Sequence, residues 1–194
     1  MQATLMIDIS LWNQAQLSTQ ALTLLAIVGL IAVIKLLLPP KKRWRQKVSK
    51  RALERLQSFD GLPSKLAYLR QIDPFVFEEL ILDAFERRGC RVKRNKRYTG
   101  DGGIDGKLWI NKQLYLVQAK RYSGHIKAAH VREFSALCKH HRSKGIFVHT
   151  GRTGRLAKEI AAQCPNVTMV SGERLIQLVT PAARHTPADA PVIP

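Results

Sequence analysis

The chain has 194 residues, enough for one ordinary domain and an appendage, and its hydrophobic fraction of 45% excludes a disordered chain. Its 32 Lys and Arg residues against 14 Asp and Glu give a formal net charge of +18, which indicates a polyanionic partner, either nucleic acid or an anionic membrane surface. Its three widely spaced cysteines fit neither a disulfide framework nor a zinc site, and we interpret them as small buried residues: Cys90, Cys138 and Cys164.

The first predicted element is a transmembrane helix over 21–38, preceded by a short non-cytoplasmic N-terminus at 1–20. The helix has 18 residues with one charge, Lys35, near its end. At 1.5 Å per residue it spans roughly 27 Å, close to the thickness of the hydrocarbon core. A cleaved signal peptide would need basic residues before the apolar stretch, whereas here the basic cluster KKRWR follows it at 41–45. The order predicts a single-pass protein of a bacterial inner membrane with the remainder cytoplasmic.

Residues 39–71 are predicted to form a basic helical connector in which Leu53 and Leu56 make a thin apolar stripe. Ser64 is the predicted N-cap of a second short helix in this connector. The basic face suits anionic lipids as well as DNA, and the sequence leaves both open. At the other end of the chain, residues 180–194 are rich in Ala and Pro, which predicts a disordered tail.

Residues 72–179 are predicted to form the main domain. Its first helix is capped by Asp73, begins at Pro74, ends before Gly89, and has one apolar face: Phe77, Leu80, Ile81, Ala84 and Phe85. The later elements are strands at 90–94, 104–110 and 113–121, a helix at 126–141, a strand at 144–150, a helix at 152–163, a strand at 167–170 and a helix at 172–179. This order predicts an α/β fold with a mixed central sheet flanked by helices.

The strands at 104–110 and 113–121 are predicted to form a hairpin with a two-residue turn, so that paired positions sum to 223. This register places Asp105 opposite Gln118, and Lys120 lies on the same face because side chains alternate along a strand. Directly opposed residues have Cβ atoms about 4.5 to 5.5 Å apart. The hairpin therefore gathers a carboxylate, an amide oxygen and an ammonium group.

Such a set suits phosphodiester hydrolysis with Mg²⁺, or with Mn²⁺, because hard divalent cations prefer oxygen ligands. Asp105 is the expected principal metal ligand, and Gln118 is a weaker, neutral ligand through its carbonyl oxygen. Lys120 is the expected catalytic cation, which orients water or stabilises developing negative charge. Asp101 is a rival for a metal position, although a role in stabilising the glycine-rich loop suits it better.

Four motifs carry a resemblance to a known family: Phe77-Glu78, TGDGGIDG at 99–106, LVQAKRY at 116–122 and GIFVHTG at 145–151. They resemble the Mrr-type restriction endonuclease catalytic domain of the PD-(D/E)xK superfamily, in the variant where Gln replaces an acidic residue. The resemblance covers about residues 72–179 and implies a restriction-endonuclease-like fold.

The resemblance implies that Asp105 binds the metal, that Gln118 and Lys120 form the QxK pair, and that Glu78 adds an acidic residue at the metal site. It also implies Mg²⁺-dependent cleavage of double-stranded DNA, as in DNA restriction. Cutting both strands usually needs two active sites, which favours a homodimer. Two departures stand out: a membrane segment replaces the usual DNA-recognition domain, and His149 occupies a position expected to hold a hydroxyl or small residue.

Basic and aromatic residues near the predicted site are candidates for contacts with the DNA backbone: Arg97, Tyr98, Arg121, Tyr122, Lys127, Arg132 and Arg152. Taken singly, each also fits an ordinary solvated surface. The sequence therefore predicts a membrane-anchored endodeoxyribonuclease. One alternative is an inactive nuclease-fold module that binds DNA at the membrane, and a second is a basic membrane-surface protein without a nucleic-acid role.

Overall fold

The structure, a computed structural model, describes four stretches of the chain: residues 20–31, 33, 41–95 and 102–180. The chain divides into two compact units, Met1–Arg43 and Trp44–Pro194. In the first unit, residues 20–31 form helix α1, whose large apolar side chains are exposed. No helix among the described residues is both long and apolar enough to cross a membrane. The predicted span at 21–38 extends into residues outside the described part, so it stays a prediction.

The remaining elements follow in chain order: α2 Lys41–Arg55, a 3-10 helix Leu56–Ser58, α3 Gly61–Leu69, α4 Pro74–Arg87, β1 Arg91–Arg94, β2 Gly106–Ile110, β3 Gln113–Lys120, α5 Ala128–His140, β4 Lys144–His149, α6 Arg155–Ala162, β5 Val167–Val170 and α7 Gly172–Val179. From α4 onward this is the predicted order, with ends shifted by up to three residues. Of the predicted tail at 180–194, all but Thr180 lies outside the described residues.

The five strands form one sheet in the order β1-β2-β3-β4-β5. The pairs β1/β2 and β2/β3 are antiparallel, whereas β3/β4 and β4/β5 are parallel. Helices α5 and α6 make the crossovers that parallel neighbours require. The predicted α/β fold with a mixed sheet between helices is therefore confirmed.

Apolar side chains fill both faces of the sheet, as the alternation along β3 and β4 requires. Val117 and Val148 point to the side that packs against α4 and α7, and Leu116 and Phe147 point to the side covered by α5 and α6. The predicted burial of the cysteines is confirmed, and all three are free thiols: Cys90, Cys138 and Cys164.

Helix α4 begins and ends where the sequence predicts. The Asp73 carboxylate accepts the N–H groups of Phe75 at 2.9 Å and Val76 at 3.1 Å, and Pro74 occupies the first helical position. Gly89 follows the helix with a φ of 82°, a conformation that favours glycine. Every residue of the predicted apolar face is buried, so the helix rests firmly on the sheet.

A charged cluster fastens α4 to β1. The Arg94 guanidinium contacts Glu79 at 3.0 Å, Asp83 at 2.5 Å and Glu86 at 2.8 Å. The Ser49 hydroxyl of α2 donates a hydrogen bond to Asp83. Because Glu79 and Asp83 are buried, the loss of Arg94 would leave unpaired charge in the interior, at a cost of about 3–5 kcal/mol.

From Trp44 onward, the segment predicted as a connector at 39–71 belongs to the second, packed unit. Leu53, Leu56 and Leu69 are buried in the same core as α4, which the sequence did not indicate. The predicted N-cap at Ser64 is wrong, because α3 begins at Gly61 and Ser64 lies inside its first turn. Thus α2 and α3 belong to the packed core that supports α4, and α4 carries the predicted site residue Glu78.

Candidate active site

The β2–β3 hairpin has the predicted register: its strand ends pair across a two-residue turn, and Gly106 pairs with Val117. The turn residues Asn111 and Lys112 have positive φ angles of 50° and 67°, as a type I′ turn requires. The twist of such a turn matches that of the strands it joins. The turn therefore fixes which residues meet at the far end of the hairpin.

Asp105 lies one residue beyond the last pair of this ladder, so the ladder ends before the predicted pairing with Gln118. The Asp105 N–H donates to the Val117 carbonyl at 2.9 Å, although Val117 already pairs with Gly106. Two consecutive residues thus face one, as in a β-bulge, which re-aims the side chain. Oδ2 of Asp105 accepts a hydrogen bond from the N–H of Ala119 at 2.6 Å, which fixes the carboxylate at the position along β3 between Gln118 and Lys120.

Gln118 and Lys120 share one face of β3, where they are the ladder partners of Phe147 and His149 in β4. Gln118 is only 6% exposed, and its Oε1 has no hydrogen-bond partner among the described residues. An unsatisfied buried oxygen costs about 1–3 kcal/mol. A ligand that contacts this oxygen would remove that cost.

Gly103 packs directly on the amide of Gln118. Gly103 has a φ of 90°, and a Cβ atom built on it would lie 2.2 Å from Nε2 of Gln118. Only glycine fits this approach without displacing the amide. Gly103 therefore holds Gln118 from the side of Nε2, which sequence analysis did not predict.

Helix α4 brings Glu78 to the same place. Glu78 lies one turn before Leu82, which packs closely on Gly106 of β2. A Cβ atom built on Gly106 would lie 2.7 Å from Cδ2 of Leu82. The pKa of Glu78 is raised to about 8, mainly by burial and then by the charge of Asp105, whereas the charge of Lys120 opposes the rise. Glu78, Asp105 and Lys120 therefore lie close enough for their charges to affect one another. Gln118 lies two residues before Lys120 on the same face of β3.

Asp105 responds to the same surroundings. Burial raises its pKa to about 7, although the hydrogen bond from Ala119 and the charge of Lys120 both lower it. Two carboxyl groups with pKa values near neutrality lie beside one ammonium group, so a further positive charge would stabilise both carboxylates. The surroundings therefore fit a bound cation.

The donor atoms also fit a hard divalent cation. Among the described residues, no three His, Cys, Asp or Glu side chains are grouped as metal ligands. The candidate set instead combines two carboxylates, Glu78 and Asp105, with the amide oxygen of Gln118, and Mg²⁺ and Mn²⁺ accept such oxygen ligands. Asp101, the rival position, lies outside the described residues.

The predicted DNA-contact residues fall at the end of β3 and β4 that carries Lys120. The segment after β3 pairs with the segment after β4, because His125 and Arg152 form a parallel bridge and the Arg152 N–H donates to Gly124 at 2.9 Å. Exposed basic side chains follow this edge and the start of α5: Arg121, Lys127, Arg132 and Arg152. Arg97 and Tyr98 lie outside the described residues.

Tyr122 has a structural role that the sequence did not indicate. Its hydroxyl bonds the His130 ring, and its backbone N–H donates to the Thr150 hydroxyl at 2.9 Å. His149 is fully buried, and burial lowers its pKa to about 4, so the ring is neutral at physiological pH. Thr150, next to His149, supplies the hydroxyl that joins the two strand ends.

Sequence reasoning also missed Arg45, because it assigned this residue to a connector. In α2, the Arg45 guanidinium lies over the Phe75 ring, 4.0 Å from its centroid, at the start of α4. Its half-buried side chain distinguishes Arg45 from an ordinary surface residue. That burial depends on contact with α4, so it cannot be deduced from the sequence of α2 alone.

Residues 69–179 match the Mrr_cat family model, described as a restriction endonuclease. The chain is 32% identical over 122 residues to the type IV methyl-directed restriction enzyme EcoKMrr of Escherichia coli strain K12, across 59% of this chain and 40% of that enzyme. It therefore spans less than half the length of this relative. Among solved structures, restriction endonuclease FokI aligns with a TM-score of 0.45 and 15% identity, over 66% of this chain and 29% of FokI.

The family match covers 111 of the 194 residues and includes the helix and the hairpin that carry the candidate site. Because it extends over more than half of the sequence, the chain belongs to the Mrr_cat restriction endonuclease family.

Proposed function

We propose that the chain is a metal-dependent endodeoxyribonuclease that hydrolyses the phosphodiester bonds of double-stranded DNA. The buried Gln118 Oε1, which lacks a partner among the described residues, carries this proposal, supported by the proximity of Glu78, Asp105 and Lys120. An inert fold would gain nothing from two neighbouring carboxyl groups with raised pKa values, nor from a buried oxygen that lacks a partner among the described residues.

Glu78, Asp105 and Gln118 would hold Mg²⁺ or Mn²⁺. When bound, such an ion polarises a phosphoryl oxygen and makes a coordinated water more acidic. The Ala119 N–H orients the Asp105 carboxylate, and Gly103 holds the Gln118 amide in place. Lys120 stabilises negative charge as it develops on the phosphoryl oxygens, because it stands beside both carboxylates at the end of β3.

The choice of DNA as the proposed substrate rests on the positive charge of the surface near Lys120 and on the similarity to a restriction enzyme. The exposed basic side chains at the ends of β3 and β4 border Lys120, and they suit the phosphates of a duplex. The name of the Escherichia coli relative describes a methyl-directed restriction enzyme, but this chain spans 40% of its length. Methylated and unmethylated DNA are therefore both included in the test.

We also propose that residues 21–38 anchor the chain in a bacterial inner membrane with the nuclease unit in the cytoplasm. The support is the 18-residue apolar stretch followed by KKRWR, together with the exposed apolar side chains of α1. The test is alkaline extraction of membranes from expressing cells. Release of the full-length chain into the soluble fraction would contradict the anchor.

The central experiment incubates the purified full-length chain with supercoiled plasmid, methylated or unmethylated, and Mg²⁺ or Mn²⁺. Nicking or linearisation is expected, and it should disappear with a chelator and in Asp105→Ala and Lys120→Ala. Linear product without accumulated nicks would favour a homodimer. If neither plasmid is cut while tight, salt-sensitive binding persists, the inactive DNA-binding module replaces this proposal.

A further inference from the structure

A network of hydrogen bonds joins the end of α3 to the ends of β3 and β4. At the C-terminus of α3, the Arg70 Nε donates to the Thr150 carbonyl at 2.9 Å. The Thr150 N–H in turn donates to the Lys120 carbonyl at 3.4 Å. From the residue after Lys120, the Arg121 Nη1 donates to the Arg70 carbonyl at 2.6 Å. Two guanidinium groups are therefore fixed beside the strand end that carries Lys120.

These hydrogen bonds occupy a small part of what the two side chains can donate. A guanidinium carries five N–H donors, and among the described residues each of these arginines uses one of them, on a main-chain carbonyl group. The bond to Thr150 engages Nε of Arg70, so its two terminal nitrogens remain available as a fork for two oxygens. Arg121 is exposed and Arg70 is half-buried, so solvent reaches both groups.

The pair formed by Arg70 and Arg121, the arginine pair, has no counter-charge within the described part of the chain. The salt bridges there involve other arginines, Arg94 and Arg155. Two like charges in one short network repel one another, and a bound anion would offset that repulsion. Because the main-chain hydrogen bonds already hold the side chains in place, less conformational entropy is lost on binding. The arrangement therefore suits an anion with several oxygens.

We propose that the arginine pair binds a phosphate of the DNA backbone beside the phosphate that is cleaved, with Arg70 supplied by the end of α3. The proposal rests on the nuclease function proposed above and deepens it by assigning a second phosphate position. Lys120 stands at the phosphate that reacts, whereas the arginine pair lies just beyond it, where β3 ends. The pair thus contributes to substrate binding and not to the chemical step. Sequence analysis named Arg121 as a DNA-contact candidate but not Arg70.

A structural role alone would be to fasten α3 to the strand ends, and Arg88 supplies the control for it. The Arg88 Nε likewise donates to a main-chain carbonyl, that of Leu178, at 3.1 Å, and Arg88 is half-buried too. It caps the end of α4, ten residues and about 15 Å along the helix from Glu78. Arg88→Ala therefore removes the same charge and the same kind of bond at a distance from the site.

The test compares full-length Arg70→Ala, Arg70→Lys and Arg121→Ala with Arg88→Ala. Binding to a short DNA duplex is measured at several salt concentrations, with Ca²⁺ in place of Mg²⁺ to prevent turnover. Plasmid cleavage with Mg²⁺ gives KM and kcat separately, and denaturant titration gives the free energy of unfolding.

Arg70→Ala and Arg121→Ala are each expected to weaken binding about tenfold and to reduce the salt dependence by about one phosphate contact. KM should rise more than kcat falls. Arg70→Lys should keep the salt dependence, because the charge remains, but lose part of the affinity, because lysine lacks the planar fork. Arg88→Ala should lower the free energy of unfolding and leave the salt dependence unchanged.

An Arg70→Ala variant with the salt dependence of wild type would overturn the proposal, since Arg70 would then only fasten α3 to β4. An equal loss of salt dependence in Arg88→Ala would also overturn it, since binding would then follow net charge alone. Either result leaves the nuclease function standing if the wild-type chain cuts DNA. If the wild-type chain binds DNA without cutting it, the nuclease function fails, whereas a smaller salt dependence in Arg70→Ala still assigns the phosphate contact.

Discussion

Gly103 is the residue whose geometry gives the sharpest test of the site. We expect Gly103→Ala to displace the Gln118 amide and to reduce kcat at least tenfold, since its Cβ atom would lie 2.2 Å from Nε2. Gly102→Ala is the matched control. Gly102 also has a positive φ, 63°, but among the described residues its Cβ atom would meet Leu137 alone, at an ordinary 3.4 Å. Plasmid cleavage and unfolding by denaturant measure activity and stability in both variants.

Both alanine substitutions place an L residue at positive φ, which lowers the free energy of unfolding by roughly 1 kcal/mol. Equal losses of activity in the two variants would therefore mean that backbone strain in the loop, and not the contact with Gln118, limits catalysis.

At the residue scale, sequence reasoning predicted the face that Gln118 and Lys120 share but not how Asp105 approaches them. Alternation along a strand placed Gln118 and Lys120 on one face, and their common face is present in β3. The same reasoning extended the ladder to Asp105, whereas the bulge at Asp105 and Gly106 sends the carboxylate to the Ala119 N–H. A bulge depends on local backbone bonding that alternation does not encode. The catalytic roles of these residues stay predictions.

At the element scale, the predicted order from α4 to α7 is correct because each element has its own hydrophobic periodicity and its own capping or turn residues. Asp73 and Gly89 bracket α4, and the turn at 111–112 closes the hairpin. The role of α2 could not be predicted, since the thin apolar stripe of Leu53 and Leu56 is weak evidence for burial on its own. Its burial depends on α4, which is distant in sequence.

The packing of α2 gives a prediction for stability. Leu53 is 1% exposed, so Leu53→Ala should lower the free energy of unfolding by about 2–5 kcal/mol. Leu62→Ala is the control, because Leu62 is 39% exposed and should cost far less. Denaturant titration monitored by circular dichroism measures both. If Leu53→Ala changed stability no more than the control, α2 would be a connector, as the sequence suggested.

At the scale of the whole molecule, the two raised pKa values link stability to pH. With a chelator present, Glu78 keeps a proton up to about pH 8, whereas the unfolded chain releases it near the ordinary pKa of 4.5. The folded state then holds more protons than the unfolded state between these values, so the free energy of unfolding falls as pH rises. Asp105, with a pKa of about 7, acts in the same direction.

We therefore expect Glu78→Gln, which cannot ionise, to become more stable relative to wild type as pH rises from about 5 to 8. Denaturant titrations at several pH values, with a chelator throughout, measure the difference. Parallel stability profiles for the two proteins would show that Glu78 does not titrate within this range, and that its carboxyl group is better solvated than its burial suggests.

The two compact units divide at Arg43 and Trp44, whereas the family match begins 25 residues later, at 69. The difference matters to anyone who would transplant the family domain onto another N-terminal segment. A graft joined at 69 would discard Leu53 and Leu56, the Ser49 hydroxyl and Arg45, and would leave one side of α4 open to solvent. A graft joined ahead of α2 would carry them along, so the exchangeable part of the chain ends before this helix begins.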